Sequence, residues 1–234
     1  MNTLKNNFFL ILLFSISFQF IVYSQNNKSN EDWANLKKYA EADKMLSAQV
    51  RGEDRIVFMG NSITEFWAKI DTEFFANKDY IDRGISGQTS PQMLLRFRQD
   101  VINLKPAVVV ILAGTNDIAE NTGPISLEDI MGNIISMAQL AKANDIKVIL
   151  SSVLPAYDFP WRPGLKPAEK IVMLNSMIKS YCEKNNIVYL DYYSSMVDDR
   201  MGLNKKYTVD GVHPTLVGYK VMDALVEKAI KKTL

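Results

Sequence analysis

His213, the only histidine in this 234-residue chain, lies in "VDGVHPTLVGY" (209–219), three residues after Asp210. A neutral imidazole can take a proton at one ring nitrogen while a carboxylate bonds the other and fixes the tautomer. A lone histidine can equally be an ordinary surface or core residue, so the chemistry depends on partners elsewhere. "GNSIT" (60–64) offers Ser62, which reads either as a helix N-cap or as a nucleophile exposed on a sharp turn. Thr64 excludes the G-x-S-x-G elbow of α/β-hydrolases. In "RGISGQTS" (83–90), Gly87 reads as a turn residue or as a backbone N–H left free for a developing oxyanion. In "AGTND" (113–117), Asn116 reads as a turn initiator or as a side-chain amide aimed at the same charge. No metal or other cofactor is required by this set, and one histidine, one cysteine and scattered carboxylates make a metal site hard to build. The single cysteine, Cys182, lies in a helical pattern and reads as core; it can form no intramolecular disulfide.

These residues need elements to bring them together. Short β-branched runs at 55–60, 80–85, 107–114, 147–153 and 187–193 predict strands buried on both faces. Helical patterns at 31–50, 64–76, 90–103, 126–144, 166–185 and 215–232 alternate with them, which predicts a parallel sheet with helices on both sides. In such sheets ligands bind beyond the carboxyl ends of the strands, where Ser62, Gly87 and Asn116 fall.

The length suits one domain, and neither a repeat nor a linker divides it. Acidic and basic residues nearly cancel without a basic block, which disfavours a nucleic-acid partner. Residues 1–24, with one lysine and the apolar run "FFLILLFSISFQFIV", predict a signal peptide cut near Ser24–Gln25. The mature chain, 25–234, is then a single domain exported to the periplasm or the exterior, without an integral membrane span.

Four ordered blocks, "GNSIT", "GISGQTS", "GTND" and "DGVHP", resemble the SGNH hydrolases, also called GDSL-type lipases and esterases, over residues 30–234. The resemblance implies a three-layer α/β/α sandwich, flavodoxin-like, on a five-stranded parallel sheet. It implies Ser62 as nucleophile, His213 as general base and Asp210 as its orienting acid. The oxyanion hole would comprise the Ser62 and Gly87 N–H groups and the Asn116 side chain. The family often has Asp before the serine, where this chain has Asn61. That change removes a charge beside the nucleophile without touching the other named groups.

Substrate choice falls to loops. "LPAYDFPWRPGLK" (154–166) carries Tyr157, Phe159 and Trp161, which could line a substrate site or simply pack the loop. With little room for a large lid, the expected substrate is a small acyl ester, such as a glycan-linked acetyl group. The competing expectations are a lysophospholipase or acyl-thioesterase with longer-chain preference, and a non-catalytic flavodoxin-like domain that binds a ligand.

Overall fold

The five β-branched runs form β1 (Ile56–Gly60), β2 (Tyr80–Gly84), β3 (Val108–Ile111), β4 (Lys147–Ser151) and β5 (Val188–Leu190). All pair in parallel, in the order β2-β1-β3-β4-β5. The computed structural model describes residues 32–46, 55–76 and 79–234. The expected signal peptide and part of the expected helix 31–50 lie outside the described residues.

Strand side chains alternate between faces, so each strand feeds two cores. Val57, Met59, Val109, Ile111, Val148 and Leu150 pack with α4 (Ser90–Asp100), α6 (Leu127–Lys142) and α7 (Pro167–Asn185) through Phe97, Ile134 and Leu174. Ile56, Phe58, Val108, Val110 and Ile149 face the other way, against α2 (Ser62–Ile70) and α9 (Leu216–Thr233). There Trp67 stacks between Phe74 and Tyr219 at 5.1 and 5.6 Å and donates to Asp223 at 2.9 Å. It is a core residue; each such fully buried large side chain contributes about 1.5–3 kcal/mol of transfer free energy. The result is a three-layer α/β/α sandwich.

Chain order reverses between β1 and β3. The chain leaves β1 toward β2 at one edge, then crosses back to β3 on the other side, which opens a crevice at their carboxyl ends. α2 enters closely against β2, because a Cβ on Gly84 would lie 2.2 Å from the Glu65 nitrogen. The small strand exits at Gly60 and Gly84, paired in register, therefore set how near the helix carrying Ser62 lies to the next loop.

Several element boundaries differ from expectation; β3 and β4, for instance, end at Ile111 and Ser151, before the expected 114 and 153. The helix expected at 64–76 starts at Ser62 and breaks at Asp71, so that α3 (Thr72–Ala76) is separate. Lys220 binds the Asp71 carboxylate at 2.8 Å and pins the chain where it turns. β5 stops at Leu190 because the Ser152 hydroxyl accepts from the N–H groups of Tyr192 and Tyr193, at 3.0 and 2.9 Å, and bends the chain into α8 (Tyr193–Met196). Of the expected helix 31–50, the described residues are α-helical only at α1 (Ala40–Met45). Residues before α1 instead bond to the strand-exit region, as in Gln88 Nε2 to the Ala34 carbonyl at 2.7 Å. A short further helix, α5 (Thr115–Ile118), follows β3.

Candidate active site

The loop after β1 ends at Asn61, whose side chain accepts from the Ile63 N–H at 3.0 Å and starts α2. Ser62 is thus the first helical residue, and its own N–H has no carbonyl within the helix to bind. The helix N-terminus also places partial positive charge beside it. The Ser62 Oγ lies 2.9 Å from His213 Nε2.

His213 is held from behind. Its Nδ1 lies 2.6 Å from Asp210 Oδ2, while Asp210 Oδ1 accepts from the backbone N–H groups of His213 and Val212 at 2.8 and 2.9 Å. Burial pushes the Asp210 carboxyl up, but the side-chain bond to His213 and those two N–H groups outweigh it and hold it down at about 2. Asp210 therefore stays ionised and its Oδ2 can only accept, so Nδ1 carries the proton and Nε2 presents a lone pair to Ser62. Thr208 ties the turn: its Oγ1 accepts from Gly211 N–H at 3.0 Å and lies 2.8 Å from the His213 carbonyl as donor.

Two further groups follow the carboxyl ends of the neighbouring strands. Gly87 sits in a turn closed by Gln88 N–H to the Ile85 carbonyl at 3.2 Å, with φ of +79°, a sign that favours glycine. The turn's hydrogen bond does not use the Gly87 N–H, and the residue is exposed. Asn116, in α5, is buried; its Nδ2 spends one hydrogen on the Gln88 carbonyl at 3.0 Å and has a second to offer. Ser62, Gly87 and Asn116 follow β1, β2 and β3, three adjacent strands. The arrangement can move a proton from Ser62 to His213, and the residues with candidate N–H donors follow the same ends of the strands.

A family model for the GDSL-like lipase/acylhydrolase family matches residues 58–221. The chain belongs to that family. This GDSL-like acylhydrolase is 56% identical to a GDSL-like lipase from Bacteroides thetaiotaomicron, with a TM-score of 0.85 over 87% of this chain and all of the other. It is 26% identical over 194 residues to the human platelet-activating factor acetylhydrolase IB subunit alpha2, covering 77% of this chain and 80% of that one. Over 122 residues it is 30% identical to a Bacillus subtilis lipoprotein, covering 45% of this chain and half the length of that one. The family makes the protein an ester hydrolase, and the alternative of a non-catalytic ligand-binding domain is set aside.

Among the loop aromatics, Trp161 comes nearest to the acylhydrolase's histidine, with ring centroids 6.1 Å apart. It is anchored by its Nε1 donating to Asn121 Oδ1 at 3.0 Å, and Asn121 Nδ2 in turn reaches the Gly87 carbonyl at 3.2 Å. Phe159 is buried, stacks on Trp161 at 5.1 Å and lines the same cavity as Tyr157. Tyr157 is exposed and lines a cavity of about 250 Å³ with Asp158, Pro160, Arg200 and the Asp210–Gly211 turn.

Sequence reading missed Phe66, whose ring centroid is 5.3 Å from that of His213. The signal was present, since Phe66 follows Ser62 by one helical turn and shares its face. It also missed Glu65, whose Oε2 accepts from both the N–H and the hydroxyl of Ser86 at 2.7 Å, next to Gly87. Burial raises that carboxyl, but bonds from Lys38, Lys69 and Ser86 bring it down to about 2. Cys182 is buried, and burial pushes its thiol up to about 12, which suits a core residue and no thiolate chemistry.

Proposed function

We propose that this ester hydrolase acts through Ser62, His213 and Asp210 and removes small acyl groups, acetyl above all, from carbohydrate or similar esters. The observation that carries the mechanism is the 2.9 Å contact of Ser62 Oγ with His213 Nε2, backed by an ionised Asp210. Ser62 Oγ attacks the ester carbonyl carbon while its proton passes to Nε2. The carbonyl oxygen becomes an oxyanion, met by the N–H groups of Ser62 and Gly87 and by Asn116 Nδ2. The C–O bond to the alcohol then breaks, and that oxygen takes the proton from Nε2, leaving acyl-Ser62. Water repeats the sequence, giving its proton to Nε2 and releasing the acid and free Ser62.

Two features support a small acyl group. The relative from human is an acetylhydrolase by name. The loop holding Trp161 is tied down by the Asn121 bond and by an Arg162–Glu120 ion pair at 3.2 Å, which favours a small acyl group over one that needs this loop to close around it. Trp161 itself offers a face on which a sugar ring can stack beside the base. The apolar amino-terminal run, expected to be a leader, and the likeness to a bacterial lipoprotein support export to the periplasm or the exterior. No described helix is long and apolar enough to cross a membrane.

One observation favours a second reading, that of a longer-chain lysophospholipase or thioesterase. Val209 is 92% exposed, and Leu216 and Val217 are also exposed, on either side of His213 in sequence. Turnover of p-nitrophenyl acetate, butyrate and octanoate by the mature chain separates the two. The proposal expects kcat/KM to fall from acetate to octanoate; a rise along the series assigns the enzyme to longer acyl chains.

A further inference from the structure

Arg96 lies in the middle of α4, is fully buried, and belongs to neither the proton relay nor the crevice surface. Its guanidinium donates to the carbonyls of Gly60 and Arg83, both at 2.9 Å. These are the backbone groups of β1 and β2 at their carboxyl ends, the first only two residues before Ser62. Through Nη1 it meets Asp100 at 2.7 Å, and through Nε it meets the side-chain oxygen of Gln88 at 2.5 Å.

Gln88 is the second half of the device. It follows Gly87 directly, and its buried side chain is held at both ends, by Arg96 at Oε1 and by the Ala34 carbonyl at Nε2. Its main-chain carbonyl accepts from Asn116 Nδ2 at 3.0 Å. One guanidinium is therefore connected to the strand exit that leads to the Ser62 N–H. Through one glutamine it is also connected to the residue that follows Gly87 in the chain and to the amide of Asn116.

We infer that Arg96 and Gln88 are positioning residues that fix the three oxyanion donors relative to one another, so that the hole is formed before substrate arrives. The planar fork of arginine is what the site needs, because four bonds leave in fixed directions and a lysine ammonium cannot span them. Burying a charge here is costly, and Asp100 compensates it within one helical turn. A preformed hole stabilises the tetrahedral oxyanion without reorganisation during the reaction, so the benefit appears in the transition state and not in substrate binding.

The inference rests on the oxyanion roles proposed above for Ser62, Gly87 and Asn116. Gln88→Met and Arg96→Lys test it in the mature enzyme, with Asn116→Ala measured beside them and folding followed by circular dichroism and Tm. The Gln88 variant leaves Arg96 its bonds to Gly60, Arg83 and Asp100, so it tests the link to the hole even where Arg96→Lys does not fold. On p-nitrophenyl acetate, kcat should fall about 10- to 100-fold with KM within about threefold of wild type. Affinity for a trifluoromethyl ketone, whose serine adduct carries the oxyanion, should fall by the same factor as kcat/KM. Loss of Tm with kcat and ketone affinity unchanged would make the pair merely structural and overturn the inference. If Asn116→Ala is slow while folded Gln88→Met matches wild type, the inference alone fails. If Asn116→Ala is itself as fast as wild type, the reading of the hole beneath it fails.

Discussion

Asp210 gives Oδ2 to the imidazole and Oδ1 to the backbone of its own turn. In Asp210→Asn the amide oxygen can keep the backbone bonds to Val212 and His213, so the turn should hold its shape. The amide nitrogen then faces Nδ1 as a donor, which forces the ring proton onto Nε2 and removes the lone pair that Ser62 needs. By comparison with the same change in a serine protease triad, kcat should fall about 10⁴-fold. Steady-state kinetics with Tm as the folding control checks this. Turnover within tenfold of wild type would mean that another group orients the ring. The residues of this relay were legible because each block joins a reactive type to a turn-forming neighbour. Glu65, Thr208 and Arg96 were not, because an acid, a hydroxyl and a guanidinium in ordinary helix or loop sequence acquire meaning only through what the fold sets against them.

At the scale of elements, β2 is an edge strand and carries a half-buried acid. Asp82 Oδ1 accepts from the Gly84 N–H at 2.7 Å. Burial raises its carboxyl to about 7, with the charge of Glu65 adding to the rise and the Gly84 N–H, Arg83 and Lys38 opposing it. The folded protein then binds this proton more tightly than the unfolded chain does. Stability from this group is fully present below its ordinary value of 3.8 and is lost as pH rises through about 7. Asp82→Asn, which keeps the acceptor for Gly84, should raise Tm relative to wild type at pH 8 and leave it nearly unchanged at pH 4. Urea or thermal melts at the two pH values test this; an equal difference at both would remove the titration from the account. The positions of β1, β3 and β4 were legible from their apolar runs because these strands are largely buried on both faces, whereas the edge strands β2 and β5 are only part-buried. Element ends were not legible. Lys220 binds Asp71 where the helix ends and Ser152 bonds the end of β5, and both partners come from remote parts of the chain.

For the whole molecule, the strand order puts the β1 and β3 exits side by side, and a chain that alternates strand and helix can be read to that point from sequence. The fold class was legible in this way, and the family through the resemblance of the four blocks that carry Ser62, Gly87, Asn116 and His213. The placing of Trp161 over the histidine turn was not, since it depends on a bond to Asn121 across 40 residues. Everything in the proposed chemistry converges on one covalent event at Ser62. The most direct measurement is intact-protein and peptide mass spectrometry after reaction with a fluorophosphonate, run on wild type and on Ser62→Ala. The account predicts one adduct on the wild type, mapped to Ser62, lost together with esterase activity, and no adduct on the variant. An adduct elsewhere, or a folded Ser62→Ala enzyme that still hydrolyses p-nitrophenyl acetate at the wild-type rate, would contradict it.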